Sequence, residues 1–163
     1  PREIDAVWMQ LAVPGETTTQ LTARWEEEVA RRSTPTGQNR LVLGLGVRDV
    51  VNGVSHARSR LAIANILDTA ISDRRSCFVV GPPPFPGVDP EGTAALSRAV
   101  AEVCSRRNVP FVDTFEPLRN HEQWGTDVAA AGGSHPGQAG YGLLAWLVLH
   151  RGWYEWMGTA RTV

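Results

Sequence analysis

The sequence predicts an α/β fold of three layers, a flavodoxin-like parallel sheet with helices on both faces. Short apolar runs bounded by proline and glycine read as strands buried on both faces. Between them lie longer segments whose apolar residues recur every three to four positions, the period of a helix with one buried side. The two patterns alternate along the chain, and such alternation puts parallel strands in one sheet with the helices packed outside it.

The first run, Ala6 to Val13, ends at Pro14-Gly15 and is predicted to be a strand. Glu16 to Thr19 then offers an acid and hydroxyls for a helix start, and Leu21, Trp25 and Val29 recur at intervals of four up to Arg31-Arg32. Leu41 to Val47 reads as a second strand, followed by a loop carrying Arg48-Asp49. Ser55 to Ser72 is predicted helical, with Ser55 as its N-cap and Arg74-Arg75 suited to the negative end of its dipole. Cys77 to Gly81 is a third strand, stopped by Pro82-Pro83-Pro84. Leu96, Ala99, Val100, Val103 and Cys104 match the helical template closely, and Val109 to Asp113 makes a short fourth strand. A glycine-rich loop, Gly132 to Gly137, leads into the apolar final helix that begins around Tyr141, where Trp146 is expected in the core, as is Trp8 in its strand. Trp153, Tyr154 and Trp156 cluster beyond it, to pack back, line a pocket or meet another subunit.

At 163 residues the chain is expected to form one domain, 1–163. A net charge of -1 with no basic run argues against nucleic acid as a partner. All 16 basic residues are arginine, a bias that points to a GC-rich, bacterial genome. Cys77 and Cys104 sit in apolar surroundings and are expected as buried free thiols rather than a disulfide. Neither CxxC nor HExxH occurs, so no metal and no cofactor are expected. The absence of a signal-like start or an apolar run of about 20 residues leads to the expectation of a cytoplasmic chain without a membrane span, possible as an oligomer.

In a parallel α/β sheet, sites form beyond the carboxyl ends of the strands. Three loops fall there: Val13 to Thr17, Gly46 to Asp49, and the segment after Asp113 that runs on to His135. His135 stands on a loop just before a helix, with Pro136 fixing φ near the first turn. An imidazole in that position is able to exchange a proton near neutral pH.

Gly132-Gly133-Ser134-His135-Pro136, followed by Gly140-Tyr141, resembles the terminal block of the SGNH, or GDSL-type, hydrolases. Val13-Pro14-Gly15-Glu16-Thr17-Thr18 is similar to the second block of that family, and Gly46-Val47-Arg48-Asp49 sits where the third belongs. The resemblance runs from Leu11 to Leu149. It implies a hydrolase of carboxylic esters or thioesters that works through an acyl-serine, with His135 as general base and the Gly15 N–H as oxyanion donor. Acyl transfer to an acceptor other than water would need the same residues.

Three departures stand out. No Gly-Asp-Ser precedes Gly15, Arg48 takes the place of the family's asparagine, and Gly132 that of the aspartate three residues before the histidine. Ser134 and Ser55 adjoin histidines, but neighbouring side chains in an extended loop point apart and Ser55 is an N-cap, so neither replaces the nucleophile. Asp127 is expected as a solvated acid. The resemblance places the serine-bearing strand between the two strands that follow it, so a strand and serine loop outside these residues are expected. A non-catalytic relative, in which the cleft binds a small ligand, is the alternative. The fixed charge of Arg48 would direct either kind of site toward an anionic ester or acyl ligand, unless Arg48 turns outward or pairs with Glu16 or Asp49.

Overall fold

The structure, a computed structural model, describes residues 6–159. Helix α1, Thr18–Ala30, leads to strand β1, Arg40–Gly44, and a single-turn helix α2, Arg48–Val51; α3, His56–Ser72, then precedes β2, Ser76–Val80. Helix α4, Pro90–Ser105, precedes β3, Phe111–Val112; α5, Phe115–Leu118, α6, Glu122–Ala130, and α7, Gln138–Val148, follow. A kinked π-turn, Leu149–Trp153, joins α7 to α8, Tyr154–Met157. The described strands form a parallel sheet in the order β1-β2-β3, with Val42 opposite Phe78 and Val80 opposite Val112.

Side-chain alternation divides the core into two layers. Leu43, Cys77 and Val79 point to one face, where Trp25 of α1, Ile63, Ile66 and Leu67 of α3, and Leu96, Val100 and Val103 of α4 cover them. Phe78 and Val112 point to the other, against Leu118, Trp124, Val128 and Leu147 of α5, α6 and α7, with Trp153 and Trp156 behind. This is the three-layer α/β arrangement that the alternating pattern predicts. Cys77 and Cys104 are buried free thiols, and burial pushes them up to about 11 and about 12. Among the described residues no helix is long and apolar enough to cross a membrane.

The helix starts follow from the local chemistry. Thr17 and Gln20 form a reciprocal capping box on α1, and the Ser55 hydroxyl accepts the Arg58 N–H on α3.

The structure corrects the sequence reading in the amino-terminal run and at two tryptophans. Residues 6–13 are not a strand: among the described residues they have no ladder partner, and Val7, Trp8, Met9 and Val13 are exposed. An apolar run becomes a strand only where a neighbour accepts its hydrogen bonds. Trp8 is therefore outside the core, stacked on Trp153 with ring centroids 5.7 Å apart. Trp146 is also exposed, because α7 turns Leu147 inward and lays Trp146 on His150 instead.

Candidate active site

One side of the site is built where α1 begins. The turn from Val13 to Glu16 requires Gly15 at φ 79°, a left-handed conformation that a side chain would strain. Glu16 is held by a two-pronged pair with Arg24, both contacts at 2.6 Å, and Arg24 also donates to the Leu11 carbonyl at 2.8 Å. Hydrogen bonding to Glu16 holds the Arg24 guanidinium above its ordinary value.

The carboxyl end of β1 supplies the adjoining residues. Asp49 is 3% exposed, and its carboxylate accepts the Thr18 N–H at 2.8 Å, the Thr18 hydroxyl at 2.5 Å and the Ser59 hydroxyl at 2.5 Å. It sits at the amino end of α1, where the helix dipole favours an anion. This network fastens the loop after β1 to the start of α1 and thereby sets Arg48 beside Gly15. A methyl group on Gly15 would lie 3.8 Å from Arg48 Nε.

Arg48 is exposed and makes no ion pair among the described residues, and the two acids that the sequence reading offered it, Glu16 and Asp49, are both engaged elsewhere. With Gly15 it lines a cleft of about 1450 Å³ that continues along β1.

His135 stands on a separate loop, exposed, and is not among the residues lining that cleft. The loop is at the same end of the sheet: Trp124 donates from Nε1 to the Pro84 carbonyl beyond β2 at 2.8 Å, and its ring closes on Gly140 at the start of α7. Asp127 accepts the Gly140 N–H at 2.8 Å and pins the start of the helix, so it is a structural anchor and not the solvated acid expected from the sequence. His135 Nδ1 is 3.1 Å from the Pro136 carbonyl. A carbonyl only accepts, so this contact is a hydrogen bond in the tautomer that carries its proton on Nδ1, the one with a lone pair on Nε2. Gly132, where the resemblance places an aspartate, has φ 90° and belongs to the turn that ends α6.

The structure thus sets Arg48 beside Gly15 and His135 on the loop that Trp124 ties to the carboxyl end of β2, with no hydrogen bond from His135 to either among the described residues. The roles of Asp49, Thr18, Ser59 and Trp124 were not legible in the sequence. A carboxylate directly after Arg48 and a threonine pair at a helix start were the available signals.

In a parallel α/β sheet, ligands bind beyond the carboxyl ends of the strands, where the Gly15 and Arg48 loops lie. A model of the GDSL-like lipase/acylhydrolase family matches residues 2–143, and the chain belongs to that family. A search of curated proteins gives no match. Among solved structures, the lipase/acylhydrolase from Enterococcus faecalis superimposes with a TM-score of 0.72 at 19% identity, over 91% of this chain and 75% of that one. The psychrotrophic esterase EstA from Pseudoalteromonas, inhibited by monoethylphosphonate, gives 0.72 at 12% identity over 95% and 80%. A mutant of an acetyl-xylooligosaccharide esterase from Geobacillus gives 0.68 at 23% identity over 87% and 70%. These likenesses establish the shared fold.

Proposed function

We propose that this chain is the acid–base and oxyanion-binding part of an esterase-like hydrolase whose nucleophilic serine lies outside the 163 residues. The observation that carries the reading is the placement of Gly15 against an unpaired Arg48, at the same end of the sheet as His135. In the reaction, the serine oxygen attacks the ester or thioester carbonyl while His135 Nε2 takes the hydroxyl proton. The oxyanion is met by the Gly15 N–H and the Arg48 guanidinium, and collapse expels the alcohol or thiol with the proton returned by His135. Water then hydrolyses the acyl-serine by the same proton relay.

The Pro136 carbonyl takes over the orienting role that a carboxylate would play at Gly132, and Arg48 favours substrates with a carboxylate or phosphate near the acyl group. The departures at Arg48 and Gly132 favour one other reading, a non-catalytic chain whose cleft binds an anionic small molecule.

The test uses this chain extended by a strand ending in Gly-Asp-Ser. Short p-nitrophenyl esters should be turned over, His135→Ala should lower kcat by about 10⁴-fold, and Arg48→Asn should reverse a preference for anionic over neutral esters. Turnover that survives His135→Ala moves the base elsewhere. Calorimetric binding of anionic ligands with no turnover in the extended chain selects the non-catalytic reading.

A further inference from the structure

Helix α7 differs from the other long helices in having no charged side chain from Gln138 to Leu149. Helices α1, α3, α4 and α6 carry Glu26, Arg58, Glu91 and Glu122, in that order, on their exposed sides. The inner side of α7 is made by Gly140 and Leu147, with Leu143, Leu144 and Val148 half-buried. Its outer side is Gln138, Tyr141, Gly142, Ala145 and Trp146, all exposed, and half-buried Leu149. At roughly 100° per residue these six fall within about 140° of one another, so they form one stripe along the helix. Tyr141 and Trp146 are 58% and 56% exposed, and among the described residues nothing covers them.

The larger of these side chains is already held in place. The indole of Trp146 stacks on the His150 ring with centroids 4.3 Å apart, and His150 Nδ1 lies 2.8 Å from the Trp146 carbonyl. A ring fixed in this way loses little side-chain entropy on burial, which suits it to anchor a contact.

The order of sizes along the stripe says what fits it. Gly142 and Ala145 stand at its centre, Tyr141 and Trp146 outside them, Gln138 and Leu149 at its ends. A two-fold axis across the middle of the stripe sets a second copy of α7 antiparallel to the first. Trp146 of each copy then lies over Gly142 of the other, Tyr141 over Ala145, and Gln138 opposite Leu149. Large meets small throughout, and the small central residues allow the helices close approach. The flanks agree in charge. Glu122 lines a groove with Ala139 beside the amino end of α7, and His150 stands at the carboxyl end. Antiparallel pairing brings these two together, whereas parallel pairing would set like beside like. A lipid surface would gain little apolar area from Gly142 and Ala145.

We propose that two copies of this chain associate through the outer side of α7, antiparallel about a two-fold axis, with Trp146 seated on Gly142 and Tyr141 on Ala145 of the other copy. The stripe is about 18 Å long, which places the contact among small, transient interfaces with a Kd of about 1–100 µM. The association needs neither a nucleophile nor a substrate.

Sedimentation of the 163-residue chain from about 5 to about 300 µM should show the mass rising from monomer to dimer. Over the same range the Trp146 indole N–H and Tyr141 ring resonances should move, while the buried indole of Trp124 stays in place. Gly142→Arg is the decisive variant, because a side chain there meets nothing within 4 Å in its own chain. It should keep Tm at or above that of the parent and raise Kd by about 100-fold or more, by putting a bulky charge at the centre of the contact. A chain that stays monomeric throughout, or a Gly142→Arg variant that dimerises as the parent does, overturns the proposal. A dimer that leaves the Trp146 resonance unmoved overturns it by placing the contact elsewhere. A monomer that pellets with phosphatidylglycerol vesicles, and loses this with Gly142→Arg, overturns it in favour of a lipid surface.

Discussion

Replacing Asp49 with alanine tests the joint that sets Arg48 against Gly15. The carboxylate is 3% exposed and takes three hydrogen bonds, two from Thr18 and one from Ser59. The Ser59 hydroxyl retains the Ser55 carbonyl at 3.4 Å as a weak alternative, so the two Thr18 donors carry most of the loss. Hydrogen bonds to a charged group contribute about 1.5–3 kcal/mol each, which gives a cost of about 3–5 kcal/mol for Asp49→Ala. In a chain of this size that lowers Tm by roughly 6–20 °C. Asp49→Asn should cost only about 1–2 kcal/mol, because the amide oxygen still accepts the Thr18 N–H and the hydroxyls can turn to accept from its NH2. Urea unfolding followed by tryptophan fluorescence reads both values, with the m-value held constant. An alanine variant within about 1 kcal/mol of the parent, or an asparagine variant as costly as alanine, would refute the claim that this network fixes the joint.

Two further variants bear on the other parts of the fold. A methyl group at Gly140 would come within 2.6 Å of Pro136 Cβ and 2.7 Å of Asp127 Oδ2, so Gly140→Ala should destabilise by about 1–3 kcal/mol and shift the NMR resonances of His135. An unperturbed imidazole spectrum would mean that the start of α7 does not position the loop. The thiols of Cys77 and Cys104 give a pH dependence: they ionise near 8.5 when unfolded and only at about 11 and about 12 when folded. Above pH about 8.5 the unfolded chain has lost protons that the folded chain keeps, so their contribution is fully present below that pH and falls by up to about 1.4 kcal/mol per pH unit for each thiol as pH rises toward the folded values. The Cys77→Ala, Cys104→Ala double variant should lose stability less steeply between pH 8.5 and 10.5 in urea titrations; parallel profiles would contradict the assignment.

The sequence alone determined the layered fold and most of its helices, because these depend on patterns local to the chain. The periodicity of Leu96 to Cys104 and the hydroxyl caps at Thr17 and Ser55 need no distant partner to be read. It also determined which loops stand at the carboxyl ends of the strands, since the alternation of elements fixes that end. Tertiary structure decided the rest. Residues 6–13 have the composition of a strand, yet strand formation is a property of a pair, and among the described residues no partner is present. Trp146 and Leu147 are neighbours of equal apolarity, and only the orientation of α7 settles that Leu147 is the one buried. Arg48 has acids on either side of it in the sequence map, and it is left unpaired because Glu16 is taken by Arg24 and Asp49 by Thr18 and Ser59, contacts that span eight to 31 positions and exist only once the helices have packed.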